Sequence, residues 1–236
     1  MSGTHVENAT LDRATSDAAD SADGAVRVPL TIVEPEATPR GGIVVLQETR
    51  GITEDVQRLA TALADEGWLA VSPHLYHRGE AGVSGDGALA ALSGGTVLED
   101  CDAAFAWLAD RGIAADRIGV IGFDLGGSVA LIVASSRQVG AAVTVAGGGI
   151  LDRLSEGLPT LVEAAPSLAC PWLGLYGEED SAIPLTQVEA LREAAITSEV
   201  ATNVVTYAGV GHRFDTEEAN SDALQRVFDW FDSHLR

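Results

Sequence analysis

Lysine is missing from this chain of 236 residues: all 14 basic residues are Arg, against 35 Asp and Glu. The net charge of −21 excludes the broad basic faces that hold nucleic acid or anionic membrane. Cysteine is almost missing too. Cys101 and Cys170 have neither metal-ligand spacing nor a partner set for a disulfide framework. They read as small buried hydrophobes in an intracellular protein, and the expected location is cytoplasmic. No run of ~18 apolar residues occurs, so no membrane-spanning helix is expected. A basic start followed by an apolar stretch is also lacking, and no secretory signal is read there.

What is present suits a filled interior. The apolar fraction is 46% and the mean hydropathy +0.16, enough for one large α/β domain. Residues 1–25 carry five acids and one Arg, lack apolar periodicity, and read as a disordered acidic tail ahead of a domain over 26–236. "VRVPLTIVEPEA" alternates Val26, Val28, Leu30 and Ile32, and Pro29 predicts an edge strand. "GGIVVLQE", "WLAVSP", "RIGVIGF", "AAVTVAG", "PWLGLYG" and "NVVTYAG" read as further strands, several apolar throughout as in a sheet covered on both faces.

Helical patterns fall between them. "TEDVQRLATALADEG" sets Val56, Leu59 and Leu63 on one face, with acids in its first turn. Further helices are read over "TVLEDCDAAFAWLADRG", about Leu125–Arg137, Leu185–Ala195 and "NSDALQRVFDWFDSHL". The alternation implies an α/β fold with a mostly parallel sheet covered by helices on both faces. Two stretches break the rhythm, Gly-rich 77–95 and weakly periodic 147–170. Both emerge at strand C-terminal ends and read as excursions facing a substrate.

The chemistry gathers around "VIGFDLGGSVA". A strand running into Gly-x-nucleophile-x-Gly and then a helix is a nucleophile elbow, but Asp124 stands at its tip instead of Ser or Cys. Gly122, Gly126 and Gly127 permit the close packing this turn needs, and the Leu125 amide can donate to an oxyanion. The glycines do not follow the dinucleotide-binding spacing. Partners are expected downstream in the order acid, then His. Asp180 in "LYGEEDSAIP" and His212 in "YAGVGHRF" each follow a predicted strand. Glu178 and Glu179 compete for the acid role, while His5 and His234 lie in the tail and the last helix.

With these residues in view, the chain from Val26 to Leu235 resembles the dienelactone hydrolase family of α/β-hydrolases. "VVLQETRGI", "SPHLYHRG", "IGFDLGGSVA", "GEEDSAIP" and "GVGHRF" are similar to five family motifs in the right order. The resemblance implies that Glu48 contacts the nucleophile, that the Thr49 amide is a second oxyanion donor, and that Arg78 binds a substrate carboxylate. The family's second substrate arginine is unmatched, with Arg213 a substitute beside His212, and Tyr76 is placed to line the pocket. Asp124 in place of Cys is the largest departure.

That departure changes the chemistry. A carboxylate that attacks an ester must form a mixed anhydride, and the Asp carboxylate, a far weaker base than an alkoxide, leaves far more readily. An enol lactone is less unfavourable. Attack on an epoxide or alkyl halide gives a stable aspartyl ester that His-activated water can cleave. The sequence leaves Asp124 as nucleophile, general base on water, or helix N-cap. The expected function is hydrolysis of a small, possibly anionic molecule by Asp124, Asp180 and His212, without cofactor or metal, by a monomer or homodimer. The rival is a non-catalytic ligand-binding protein of the same fold.

Overall fold

The computed structural model describes residues 3–12, 25–79, 86–155 and 157–235. Strand β1 (Gly3–Asp12) pairs antiparallel with β2 (Ala25–Glu34), which pairs antiparallel with β4 (Leu69–Pro73). All other pairings are parallel: β3 (Gly42–Leu46) lies between β4 and β5 (Ile118–Phe123). Beyond β5 come β6 (Ala141–Val145), β7 (Trp172–Gly177) and β8 (Thr202–Tyr207), giving, among the described residues, eight strands in the order β1-β2-β4-β3-β5-β6-β7-β8. Every residue of β3, β4 and β7 is buried, as their continuous apolar runs require.

The helices are α1 (Glu54–Asp65), α2 (Asp86–Ala91), α3 (Gly94–Asp110), α4 (Leu125–Ser136), α5 (Leu161–Ala164), α6 (Leu185–Ala195) and α7 (Glu217–His234). Thr53, Ser93 and Thr216 cap α1, α3 and α7 through their side chains, satisfying first-turn amides. Gly119 has the Phe231 ring of α7 where a Cβ would stand, whereas Gly122 lies against the Gly126 backbone of α4. These neighbouring β5 residues face opposite ways, so α7 and α4 cover opposite faces of the sheet. This is the expected α/β-hydrolase architecture. Among the described residues no helix is long and apolar enough to cross a membrane.

The first strand corrects the expected tail. Gly3–Asp12 is ordered along the whole of β2, and residues 13–24 of that stretch lie outside the described residues. Its inward positions are His5, Glu7 and Ala9, with only Ala9 apolar, so period-two burial leaves no hydrophobic alternation to read. Glu7 instead accepts from the Trp107 indole at 3.1 Å and from Arg111 at 2.9 Å, docking β1 on α3. This also makes β2 an interior strand, not the edge that Pro29 suggested. Pro29 is tolerated because it sits just past the β2–β4 ladder, on the side where its carbonyl accepts the His74 amide.

The two excursions meet each other. The Ser155 hydroxyl donates to the Leu92 carbonyl, and Gly94 packs so closely on the Gly157 carbonyl that a Cβ would overlap it. The tip of the first, residues 80–85, lies outside the described residues.

Candidate active site

Asp124 connects β5 to α4 with φ 55° and ψ −120°. A non-glycine residue rarely adopts such angles, and the strain costs about 1–3 kcal/mol. The surrounding packing enforces it. The Asp124 amide donates to the Val145 carbonyl at 3.0 Å, and its carbonyl accepts the Ser128 amide at 3.2 Å. Gly126 in turn lies where a Cβ would collide with the Leu46 and Gln47 carbonyls. The elbow read in the sequence is therefore formed.

Asp124 makes no side-chain capping bond to α4, so helix capping does not account for the residue. Its carboxylate reaches across to the turn after β3. Oδ2 accepts the Thr49 amide at 3.2 Å and the Thr49 hydroxyl at 2.6 Å. Tyr76, just beyond β4, donates its hydroxyl to the Thr49 carbonyl at 2.8 Å and so fixes the donor turn from its other side. Leu125 opens α4, and an amide in the first turn has no intrahelical acceptor.

His212 follows β8 and Asp180 follows β7, both at the strand ends that carry Asp124. His212 Nδ1 lies 2.6 Å from Asp180 Oδ2, and Nε2 lies 3.8 Å from Asp124 Oδ1. The Asp180 side chain is only 1% exposed, and its Oδ1 accepts the Ala182 and Ile183 amides at 2.8 and 3.1 Å. An acceptor held this firmly favours a proton on Nδ1 and leaves Nε2 facing Asp124. Phe123 supports the imidazole from below, with ring centroids 5.2 Å apart. The side chains of Asp124 and His212 are 32% and 27% exposed, so solvent and small molecules reach both.

Glu48 is fully buried, but it serves another network. It accepts the Thr53 hydroxyl at 2.6 Å and faces Arg50 at 3.4 Å and Arg213 at 3.5 Å. Arg213 also reaches Asp55 at 3.0 Å, and Arg78 is held by Asp100 at 2.8 Å and the Thr96 carbonyl at 3.2 Å. Glu178 accepts the Thr206 hydroxyl, leaving Asp180 as the acid on His212. His5 pairs with Glu7 and the His234 ring lies tilted against Trp230, both away from the elbow. Both cysteines are buried; burial raises each thiol's pKa, to about 12 for Cys170, so neither supplies a thiolate at neutral pH.

Three contributors escaped the sequence reading: the Thr49 hydroxyl, where only the amide was considered, the Phe123 ring, and Asp55 as a partner of Arg213. Each depends on a contact between distant segments. A cavity of about 730 Å³ lies between α1 and α7, floored by Val45, Ile121 and Phe123. Asp124 and His212 do not line it. Among the described residues no three His, Cys, Asp or Glu side chains converge as metal ligands.

Comparison with known proteins agrees with the fold. The model of the dienelactone hydrolase family matches residues 28–235. A Salmonella typhimurium protein named "Putative carboxymethylenebutenolidase" is 32% identical over 204 residues, which is 80% of this chain and 76% of that protein. The carboxymethylenebutenolidase of Rhodococcus opacus is 30% identical over 209 residues, 82% of this chain and 81% of its own. Among solved structures, "Putative Dienelactone Hydrolase" from Klebsiella pneumoniae aligns with TM-score 0.83 and 27% identity, covering 98% of this chain and 100% of that one. A family model spanning nearly the whole described domain, on this fold, settles the assignment: the chain is a hydrolase and belongs to the dienelactone hydrolase family.

Proposed function

We propose that the protein hydrolyses a small electrophile through a covalent ester on Asp124, with His212 as general base and Asp180 orienting it. The observation that carries this reading is the division between the two Asp124 oxygens. Oδ2 takes the Thr49 amide and hydroxyl, the position where an acyl oxyanion is stabilised, and Oδ1 is turned toward His212.

Such a carboxylate suits displacement at saturated carbon. Oδ1 attacks the carbon of an alkyl halide or epoxide, and the carbon–halogen or carbon–oxygen bond breaks. Halide leaves as the anion; an epoxide oxygen takes a proton from solvent. Oδ2 is then the ester carbonyl oxygen, already held by its donors. His212 Nε2 removes a proton from water as the water attacks the ester carbon, and negative charge builds on Oδ2 between Thr49 and the Leu125 amide. Collapse breaks the bond between the carboxyl carbon and Oδ1, which leaves with the product alcohol. The alcohol takes the proton from His212, and the new carboxyl, built from Oδ2 and the water oxygen, releases its remaining proton to solvent to restore the carboxylate.

Lactone opening is the second reading, favoured by relatives named for carboxymethylenebutenolide hydrolysis. It requires the substrate carbonyl oxygen to displace Asp124 Oδ2 from Thr49, and it passes through a mixed anhydride. Stabilisation already committed to the nucleophile's own oxygen favours the alkyl route.

Intact-mass analysis of a His212→Gln variant with an epoxide and an alkyl halide tests the proposal. The first step should proceed and the second stop, leaving one covalent adduct per chain on the peptide containing Asp124. An unmodified Asp124 under conditions where the wild-type protein turns the compound over contradicts it.

A further inference from the structure

The cations offered to this site are already spent on the protein's own acids. Arg78 binds Asp100 at 2.8 Å and stands 3.5 Å from Glu99. Asp100 is 0% exposed, and its Oδ2 has no hydrogen-bond partner. Drawing Arg78 toward a ligand would leave a buried carboxylate with only His77, 3.1 Å away, and that loss opposes the move. Arg213 is divided between buried Glu48 and Asp55, and Arg50 also leans on Glu48. Lysine is missing from the chain. Facing an incoming molecule are the carboxylates of Asp124 and, behind His212, Asp180.

We infer that the site selects uncharged electrophiles and rejects those bearing a carboxylate, a substrate class that rests on reading Asp124 and His212 as the reacting centre. A carboxylated ligand meets repulsion from Asp124, while Arg78 and Arg213 are engaged by Asp100, Glu48 and Asp55. One uncompensated unit charge a few ångströms away in a partly screened site lowers the rate on the order of tenfold. The protein's overall negative charge adds a smaller effect that salt removes.

Iodoacetamide and iodoacetate form a matched pair that differs by this one charge. Alkylation of His212 and Asp124 by each is followed by peptide mass spectrometry and normalised to the reagents' rates with a free imidazole and a free carboxylate. The expected result at His212 is a preference for iodoacetamide of about tenfold or more, still present at high salt. Asp55→Asn, which leaves Arg213 with Glu48 alone, should raise the relative iodoacetate rate severalfold. Asp110→Asn, on the exposed far end of α3, should not. Equal rates, faster reaction of iodoacetate, or no reaction of His212 with either reagent overturns the inference. If His212 shows this preference but the His212→Gln protein gains no ester on Asp124 from either reagent, the charge selectivity stands and the aspartyl-ester reading falls instead.

Discussion

Thr49 donates twice to the same oxygen of Asp124, through its amide at 3.2 Å and its hydroxyl at 2.6 Å. In the proposed route this oxygen becomes the ester carbonyl oxygen, so its two donors are in place before any substrate arrives. Thr49→Val keeps the amide and removes the hydroxyl. The turnover rate should fall about 10²-fold while KM changes little, because the lost interaction strengthens as charge builds on Oδ2. Steady-state kinetics check this; an unchanged kcat means that Oδ2 is not where charge develops.

Asp124→Asn separates chemistry from architecture. The residue caps nothing with its side chain, and an amide oxygen can keep the Thr49 bonds. Activity should drop by ~10³-fold or more, with thermal unfolding displaced by only a few degrees. Asp124→Cys vacates the Thr49 amide for a substrate oxygen and should bring a gain of about 10²-fold in hydrolysis of activated esters. No gain from a folded protein would show that Thr49 and Leu125 do not form a working hole.

The strands around the site carry a pH signature of their own. His74 accepts or donates a 2.8 Å hydrogen bond with Thr31, and burial, then the nearby His77, holds its pKa below 6.5. The unfolded chain therefore binds this proton more readily than the folded one. The stability contributed by neutral His74 is complete above pH 6.5 and is lost as pH falls below that value toward the folded pKa. Melting temperatures between about pH 7 and pH 5 should decline less steeply in His74→Gln than in the wild-type protein. Parallel declines contradict this assignment.

The parallel core was legible because its strands are apolar without interruption, as at "GIVVL" and "WLGLYG", and because acids after Thr53 mark the start of α1; the last helix, read from Asn220, begins earlier, at Glu217. The elbow glycines and the order Asp124, Asp180, His212 were legible for a similar reason: each is local to a strand end. β1 was not, since Glu7 and His5 occupy its inward positions and its support comes from Trp107 and Arg111 far along the chain. The partners of Arg78 and Arg213 were hidden in the same way. A motif places an arginine near a site, but Asp100 and Asp55 decide where its charge goes.

In the proposed route water attacks the Asp124 carboxyl carbon, and a single turnover in water enriched in heavy oxygen tests this most directly. With protein in excess over an epoxide or alkyl halide, the account predicts heavy oxygen in the Asp124 carboxylate, read from its peptide, and none in the first alcohol formed. Heavy oxygen in that first product with an unlabelled Asp124 would contradict the account and make Asp124 a base acting on water.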